Sequence, residues 1–593
     1  MLKVLIANRG EIAVRVARAC RDSGLASVAV YADQDREALH VRLADEAFAL
    51  DGRTPVQTYL AVDKLIATAA RAEADAVHPG YGFLAENAGF AQAVIDAGMT
   101  WIGPPPHAIR DLGDKTVARQ MAAAVGAPLA AGLSHPVLDA SEIRAFIKEY
   151  GLPVLIKAAF GGGGRGMKVV RSLAELDEAF ESAVRESTSA FGRGECFVER
   201  FLERARHLET QCLADDAGKV VVLSTRDCSL QRRSQKLIEE APAPFLTDEQ
   251  IRTVYEGSKA ILSASGYRNA GTCEFLLAPD GTISFNEVNT RLQVEHPVTE
   301  MVTGIDVVRE QLRLAAGGLL DYDDPDLHGH AIEFRLNGED AGSGFLPSPG
   351  QLRRWRPPSG PGVRWDGGYQ EGDELPAEFD SLLGKLIVYG RDRDAALAVA
   401  RRALAEFEVV GIATVLLFDR VVVDHPDFVT APFRVHTRWI EDDFDNPVKP
   451  YAEVSGSPEA AGLEERRRLT VEVDGRRLEV SLPASFGGGA VDPSPAPPPL
   501  RRVGSQTLGK EGGSGGNAVT CPMQAIVAKL VASNSDLVAQ GDTIVEVEAM
   551  KMEQPLRAPK AGVVEGLSVS VGDQVQRGQV LCRIVDAPAA GEP

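Results

Sequence analysis

Residues 546–556, EVEAMKMEQPL, hold a lysine where two predicted strands meet. Apolar and polar residues alternate on both sides of Lys551, which predicts a strand that enters a bend and a strand that leaves it. The exposed amine of such a lysine can tether a prosthetic group. Within a weak internal repeat, Gly541-Asp542 before the bend is matched by Gly572-Asp573 after it. The pattern predicts two similar half-barrels that present one lysine.

A second set of chemical groups lies in residues 272–300, TCEFLLAPDGTISFNEVNTRLQVEHPVTE. Asp280-Gly281 is a two-residue hairpin signal, and a turn there places Glu274 opposite Glu287. Directly opposed like charges are unfavourable, so the pair is explained if a divalent cation lies between them. Ligands that are all oxygen favour Mg²⁺ or Mn²⁺ held jointly with phosphates.

If the chain stays extended beyond this hairpin, a period of two residues brings more polar side chains to the same face. For any one of them, a solvated surface would explain the pattern equally well. The predicted face consists of Glu287, Asn289, Arg291, Gln293 and Glu295.

The third set is a glycine-rich segment that follows a predicted buried strand, in LPVLIKAAFGGGGRGMKVV. Its glycines allow backbone N–H groups to approach phosphate oxygens, while Lys157 and Arg165 add positive charge. No Lys-Ser or Lys-Thr pair closes it, so it is not the common phosphate-binding loop. A flexible linker is the alternative, but linkers rarely lie between two apolar β runs. Further along, Glu199 ends a predicted strand where an adenine could be held.

Elements must position these groups, and the N-terminal residues predict a parallel α/β sheet. LKVLIANRG is strand-like, EIAVRVARACRDSG has helical periodicity and ASVAVYAD is a second strand. The turn HPGYGFLAEN follows later in this region, and we assign His78 in it no catalytic role.

Length and composition limit the number of domains and the classes of partner that the protein can bind. With 593 residues the chain should form roughly three to five domains. A net charge of −21 argues against binding to nucleic acid or to an anionic membrane surface. Because no apolar run approaches the ~20 residues of a membrane span and no signal peptide is recognisable, we expect a cytoplasmic protein. Seven scattered cysteines without a CxxC pair indicate reduced structural thiols.

These motifs resemble two known families. The repeat around Ala-Met-Lys-Met resembles the biotinyl/lipoyl carrier domain, and methionines on both sides of the lysine are typical of biotin rather than lipoate. Lys157 with its glycines, Glu274 with Glu287, and NTRLQVEHPVTE resemble the ATP-grasp fold of biotin carboxylase, which carboxylates biotin with ATP and bicarbonate. Most of the chain resembles the α subunits of actinobacterial acyl-CoA carboxylases.

The resemblance implies an α/β fold class: an ATP-grasp biotin carboxylase with a parallel α/β N-terminal domain, a lid and a central and C-terminal antiparallel-sheet domain, followed by an all-β biotinyl/lipoyl carrier barrel. The linker is Pro-rich and then Gly-rich, which suits a travelling carrier. Asp474-Gly475 predicts a hairpin in the docking region, for which a minor structural ribbon is the alternative. The predicted domains are 1–114 (N-terminal), 115–330 (ATP-grasp, lid about 132–203), 331–445 (carboxylase C-terminal), 446–483 (small β docking region), 484–516 (linker) and 517–586 (carrier).

The resemblance also implies the roles of site residues. Lys551 would carry biotin covalently, Glu295 would be the base that deprotonates bicarbonate, and Arg335 would stabilise negative charge that develops on biotin. ATP would contact Lys115, Lys157, Glu199, His207 and Gln231, with Gly164 and Arg165 in the lid over its phosphates. The metal ligands would be Glu274, Glu287 and Asn289. Bicarbonate would bind Lys236, Arg291, Gln293 and Val294.

Two residues depart from the family pattern. Ser234, in QRRSQK, stands where a nucleotide-contacting histidine is common. A serine can still donate a hydrogen bond to a ribose, so we expect altered ATP affinity without loss of activity. Ala525 stands where the PMxG motif would place glycine.

The implied partners follow from what the chain lacks. Nothing in it resembles an acyl-CoA pocket, so a separate carboxyltransferase β subunit would carboxylate acetyl-CoA, propionyl-CoA or a longer acyl-CoA. A biotin protein ligase would load Lys551, and the chain would form a homo-oligomer within a hetero-oligomeric complex. The alternatives are a pyruvate carboxylase-type subunit, and an ATP-grasp ligase or carrier scaffold without biotin carboxylation.

Overall fold

The computed structural model describes residues 1–133, 135–158, 167–191, 193–452, 466–473, 476–483, 517–523, 525–549, 552–576 and 578–586. Among these residues, no helix is both long enough and apolar enough to cross a membrane. All seven cysteines are buried free thiols, as their scattered spacing predicts.

The N-terminal part is a five-stranded sheet in the order β3-β2-β1-β4-β5 with every pair parallel, which confirms the predicted α/β arrangement. Alternate residues of β1 face opposite sides. Val4 and Ile6 therefore pack with the first helix, whereas Leu5 packs with Tyr59 on the other face. The strands are β1 (Lys3–Ile6), β2 (Ala26–Tyr31), β3 (Glu46–Ala49), β4 (Ala76–His78) and β5 (Thr100–Trp101). The helices are α1 (Gly10–Asp22), α2 (Leu39–Leu43), α3 (Val62–Arg71), α4 (Ala88–Asp96) and α5 (Pro106–Gly113).

A small antiparallel sheet, in the order β7-β6-β8, follows the connecting helix α6 (Lys115–Ala124). Its own apolar core lies between the sheet and two helices and includes Ile143, Ile156 and Val198. The glycine-rich residues 159–166 lie outside the described residues. The elements are α7 (Ala140–Tyr150), β6 (Val154–Ala158), β7 (Met167–Val170), α8 (Leu176–Phe191) and β8 (Cys196–Arg200).

The central structure is an eight-stranded sheet in the order β13-β12-β9-β10-β11-β14-β21-β19, with antiparallel pairs throughout. The first five strands in this order come from residues 206–289, and their helices cover the sheet. The strands are β9 (Arg206–Ala214), β10 (Val220–Arg232), β11 (Gln235–Ala241), β12 (Asn269–Leu277) and β13 (Ile283–Asn289). The helices are α9 (Asp248–Ala264), α10 (His296–Thr303) and α11 (Val307–Ala315).

The remaining three strands of this sheet belong to residues 330–390, which continue it without a break. Trp355, Trp365 and Phe407 pack against one another in the apolar core that these strands share. The three strands are β14 (His330–Asn337), β19 (Val363–Gly367) and β21 (Leu382–Gly390). Three two-stranded sheets pair β15 (Glu339–Asp340) with β16 (Leu346–Pro347), β17 (Gly350–Gln351) with β20 (Glu374–Leu375), and β18 (Arg354–Arg356) with β22 (Glu408–Val410). The helices are α12 (Arg393–Glu406), α13 (Leu416–Val422), α14 (Pro426–Val429) and α15 (Trp439–Asp442).

Two all-β units follow. Strands β23 (Arg466–Val473) and β24 (Arg476–Pro483) pair antiparallel up to Val473 opposite Arg476, as a hairpin requires, while the predicted turn residues Asp474-Gly475 lie outside the described residues. The C-terminal unit has two four-stranded sheets, in the orders β25-β32-β30-β27 and β29-β28-β26-β31. Its strands are β25 (Ala518–Thr520), β26 (Ala525–Leu530), β27 (Leu537–Val538), β28 (Thr543–Ala549), β29 (Met552–Arg557), β30 (Gly562–Glu565), β31 (Gln574–Val575) and β32 (Val580–Val585).

Candidate active site

The carboxylate hairpin has the predicted pairing but reaches it by a different turn. Glu274 lies opposite Glu287, as expected. Next to the turn, however, Phe275 pairs with Phe285, and the register shifts by one residue between the two pairs. The predicted two-residue turn at Asp280-Gly281 is therefore wrong: three residues separate the last hydrogen-bonded positions, and a β-bulge restores the register before the carboxylates.

The extended face predicted beyond Glu287 is also wrong past Asn289, where β13 ends. The chain turns there, and Glu295 becomes the residue before helix α10. The turn still gathers the predicted side chains, because the Arg291 guanidinium donates hydrogen bonds to Asn289 Oδ1 (3.0 Å) and Gln293 Oε1 (3.1 Å). Its Nε donates to Glu86 Oε2 at 3.0 Å, which ties this loop to the N-terminal part.

Lys236 lies at the centre of the site. It extends from β11, and its ammonium donates to Glu274 Oε1 and to Glu295 Oε1, both at 2.9 Å, and also to Glu209. Burial alone would lower the pKa of Lys236, but the three carboxylates, led by Glu209, hold it well above its usual value. Lys236 is therefore a permanent cation that can bind an anion.

Arg335 lies on the neighbouring strand β14 and shares one of these carboxylates, Glu295, with Lys236. Its Nη2 donates to Glu295 Oε2 at 2.9 Å, and its Nε donates to Glu239 Oε1 at 2.5 Å. Burial would raise the pKa of Glu295, but Lys236 and Arg335 together lower it, so Glu295 is an ionised carboxylate between two cations.

The side chains predicted to contact ATP form a second group beside this centre, where carboxylates pair with several of them. Lys157 Nζ lies 2.7 Å from Glu199 Oε1, and Lys115 Nζ lies 3.3 Å from Glu287 Oε2. His207 Nε2 lies 3.1 Å from Glu274 Oε2. Burial would lower the pKa of His207, but Glu274 raises it to about 9, so the imidazole is cationic at neutral pH.

The other predicted ATP contacts lie around this group or outside the described residues. Gln231 is next to His207, with Nε2 to Nδ1 at 3.5 Å. Ser234 is exposed at the tip of the β10–β11 hairpin, in the left-handed region at φ 66°. Gly164 and Arg165 lie outside the described residues. The predicted biotin tether, Lys551, lies outside them as well.

The predicted metal ligands supply the right kinds of atom. Glu274 and Glu287 offer carboxylate oxygens from paired positions, and Asn289 adds an amide oxygen, which is a donor set that Mg²⁺ and Mn²⁺ prefer. Asn289 Nδ2 donates to Glu274 Oε1 at 2.7 Å, so the two side chains already lie together. The residues therefore fit a divalent cation that is held jointly with phosphates.

Sequence reasoning missed several residues that hold the site together. Glu209 is fully buried and accepts hydrogen bonds from both Lys236 and Arg226, the second at 2.8 Å. His207, Glu209 and Gln211 alternate along β9, and that polar face in a strand was the signal available. For Glu239 and Glu86 no comparable signal exists, because their partners lie far away in sequence.

The carrier unit confirms the internal repeat. In both halves the aspartate of the Gly-Asp pair accepts a hydrogen bond from the backbone N–H three residues earlier: Asp542 from Ala539 at 2.7 Å and Asp573 from Ser570 at 2.8 Å. The preceding glycines have φ of 93° and 95°, a region that favours glycine. Strands β28 and β29 pair as far as Ala549 opposite Met552, on either side of the predicted tether.

Four protein families match successive parts of the chain. They are Biotin carboxylase, N-terminal domain (residues 1–109); Carbamoyl-phosphate synthase L chain, ATP binding domain (114–322); Biotin carboxylase C-terminal domain (333–442); and Biotin-requiring enzyme (517–584). The matches to known proteins extend this result to nearly the whole chain.

A biotin-dependent acyl-coenzyme A carboxylase alpha3 subunit from Mycobacterium leprae is 55% identical over 98% of this chain and 98% of its own. A pyruvate carboxylase subunit from Methanothermobacter thermautotrophicus is 44% identical over 74% of this chain and 89% of its own. The biotin carboxylase domain of Hydrogenobacter thermophilus 2-oxoglutarate carboxylase, solved with MgADP, ADP and bicarbonate, is 41% identical with a TM-score of 0.71, over 75% of this chain and 99% of that one.

The fold is thus that of an ATP-grasp biotin carboxylase followed by a biotin carrier domain. The chain belongs to the α subunits of biotin-dependent acyl-CoA carboxylases, in which both parts occur on one polypeptide. It is a ligase that carboxylates biotin at the expense of ATP, and membership of this family implies a carboxyltransferase partner.

Proposed function

We propose that this protein carboxylates biotin on Lys551 at the site around Lys236, Glu295 and Arg335, and that a separate β subunit moves the carboxyl group to an acyl-CoA. The observation that carries the proposal is the position of Glu295, whose two oxygens divide between Lys236 and Arg335. Negative charge develops both when bicarbonate is activated and when biotin is carboxylated. A site with one carboxylate between two cations can take up a proton and stabilise this charge.

Bicarbonate binds Lys236, Arg291, Gln293 and the Val294 peptide. Glu295 takes the bicarbonate proton, because Lys236 and Arg335 keep its carboxylate ionised. Bicarbonate can then attack the terminal phosphate of ATP. Biotin, once attached, supplies the nitrogen that accepts the carboxyl group, and Arg335 is placed to stabilise negative charge close to Glu295.

Lys115, Lys157, Glu199, His207, Gln231 and Ser234 form the nucleotide side of the site, together with Gly164 and Arg165. In the nucleotide's presence the phosphates replace the carboxylates that now pair with Lys115 and Lys157. Glu274, Glu287 and Asn289 hold the divalent cations. A Glu287→Gln variant should need several-fold more Mg²⁺ for half-maximal activity, and an unchanged Mg²⁺ dependence would contradict this assignment.

The acceptor is an acyl-CoA, either acetyl-CoA, propionyl-CoA or a longer chain, bound by the carboxyltransferase. Support comes from coverage: the acyl-CoA carboxylase relative matches the carrier part, whereas the pyruvate carboxylase relative matches only three-quarters of this chain. A biotin protein ligase attaches biotin to Lys551. Residues 446–483 dock the carboxyltransferase, and the chain forms a homo-oligomer inside the complex. The carboxylase domains extend over residues 1–114, 115–330 and 331–445, and the carrier domain over 517–586.

The test is capture of the native protein on monomeric avidin, next to a Lys551→Ala variant. Wild type alone should be retained, together with a carboxyltransferase chain, and the eluate should carboxylate one member of an acyl-CoA panel in an ATP-dependent way. Failure to retain folded wild type that was co-expressed with a biotin ligase would contradict the assignment of Lys551. Activity on pyruvate alone would contradict the assignment of the acceptor.

A further inference from the structure

Lys385 is a fully buried lysine beneath the proposed bicarbonate loop. It lies on β21, its side chain is 0% exposed, and its ammonium donates a hydrogen bond to the Val294 carbonyl oxygen at 2.7 Å. The same ammonium lies 3.3 Å from Glu11 Oε1 at the start of helix α1. Burying an ammonium costs several kcal/mol unless it is paired, so such a lysine calls for an explanation beyond packing.

The segment that contains the Val294 carbonyl is held by side-chain hydrogen bonds: Arg291 and Glu86 act upstream, and Lys385 acts on Val294 itself. Residues 290–295 lie between the end of β13 and the start of α10, outside the β-ladder. Gln293 and Glu295 flank Val294, and both are more than nine-tenths buried. A small rotation of the Val294 peptide would therefore move both side chains relative to Lys236 and Arg291.

Glu11 is itself held firmly. It is buried, and the Tyr81 hydroxyl donates a hydrogen bond to the same Oε1 that faces Lys385. The start of α1 packs closely against the end of β19, since a Cβ on Gly368 would lie 2.5 Å from the Glu11 backbone nitrogen. Lys385 is thus fixed on one side by the N-terminal part of the chain and reaches the loop on the other.

We infer that Lys385 is a positioning residue for bicarbonate: its ammonium, oriented by Glu11, fixes the Val294 peptide so that Gln293 and Glu295 keep the geometry the anion requires. The inference rests on the proposed bicarbonate site. It predicts that loss of the ammonium weakens bicarbonate binding selectively, because the hydrogen bond and the ion pair of Lys385 go to the loop and to Glu11 rather than to the nucleotide side.

The test replaces Lys385 with methionine in the full-length, biotin-loaded chain. The KM for bicarbonate should rise roughly tenfold or more, the loss expected for one charged hydrogen bond, while the KM for ATP stays within about twofold. The matched control is Arg393→Met, which also removes a cation, 12% exposed, from a buried carboxylate partner, Glu240, but at the contact between β11 and α12 instead of the loop. It should lower the unfolding temperature and leave the bicarbonate KM unchanged.

A second variant separates positioning from stability. Lys385→Met leaves Glu11 buried without its cation, whereas Glu11→Gln with Lys385→Met removes both charges and should recover most of the lost unfolding temperature. The bicarbonate KM should stay raised in this double variant. Recovery of KM together with stability, or a parallel rise of both KM values, would overturn the inference.

The outcome also distinguishes failure of the inference from failure of the proposed function. If Gln293→Ala raises the bicarbonate KM and the Lys385 variants do not, Lys385 has no positioning role although the site is correct. If wild type hydrolyses ATP without any dependence on bicarbonate, the proposed function itself is wrong.

Discussion

In the proposed mechanism Glu295 is the residue on which both steps depend. One of its oxygens faces Lys236 and the other faces Arg335, each at 2.9 Å. Because burial opposes ionisation and the two cations outweigh it, the carboxylate stays charged in a place that water barely reaches.

We expect Glu295→Gln to lower kcat by about 100-fold or more, which is the usual contribution of a positioned base. The amide oxygen still accepts a hydrogen bond from Lys236 or Arg335, but the NH2 group then faces the other cation, so the unfolding temperature should fall, while the KM for ATP should change little. Steady-state assays of bicarbonate-dependent ATP hydrolysis and a thermal melt would check both expectations. A kcat within about threefold of wild type would remove Glu295 from the role of base.

At the level of elements, the site combines strands from three parts of the eight-stranded sheet. Glu274 comes from β12, Lys236 from β11 and Arg335 from β14, and antiparallel pairing brings the three strands into one layer. The polar strand faces could be predicted from the two-residue period of a strand. The parallel N-terminal sheet could be predicted from the alternation of strand-like and helix-like (3.6-residue) segments.

The details that the sequence did not predict arise from competition between local and tertiary preferences. Asp280-Gly281 is a strong two-residue turn signal, yet a three-residue turn with a compensating bulge forms instead. After Asn289 the chain leaves β13, and Arg291 in the following turn binds Glu86, which is 205 residues away. A pattern within one strand carries no information about such a partner. The contacts of Lys385, in GKLIVYG, could not be predicted for the same reason, because its partners Glu11 and Val294 are also distant in sequence.

The ion pair between β11 and α12 predicts how the carboxylase part responds to acid. Arg393 donates to both oxygens of Glu240, at 2.7 and 3.1 Å, and His330 Nε2 lies 2.7 Å from Oε2. Burial would raise the pKa of Glu240, but Arg393 and then His330 lower it to about 2. A depressed carboxyl pKa stabilises the fold fully above about pH 4.5, and the contribution is lost as the pH falls towards 2.

Glu240→Gln should therefore lower the unfolding temperature by a constant amount between pH 8 and 5, equivalent to about 3 kcal/mol. Below pH 4.5 the difference from wild type should shrink. Thermal melts across this range would measure it, with Glu406→Gln, an exposed carboxylate on α12, as a control that should show almost no difference. A gap that widens in acid would contradict the assigned pairing.

At the scale of the whole molecule, the proposed function requires the carrier domain to reach the carboxylase site. Residues 484–516 connect them and lie outside the described residues, but their Pro- and Gly-rich composition predicts a tether. Tethering of two sites by a short linker gives effective concentrations in the millimolar range. Transfer within one chain should therefore dominate over transfer between chains at micromolar protein.

A mixing experiment tests this expectation directly. A Glu295→Gln chain keeps its carrier but lacks the base, and a Lys551→Ala chain keeps its carboxylase site but lacks the tether. If the carrier serves its own chain, each variant is inactive alone, and an equal mixture should regain activity only as total protein rises towards the effective concentration. Wild-type specific activity should stay constant over the same range. If the two variants are co-expressed so that they assemble together, about a quarter of wild-type activity at nanomolar protein would instead mean that the carrier visits a neighbouring protomer within the oligomer. The linker would then have to be understood as spanning protomers.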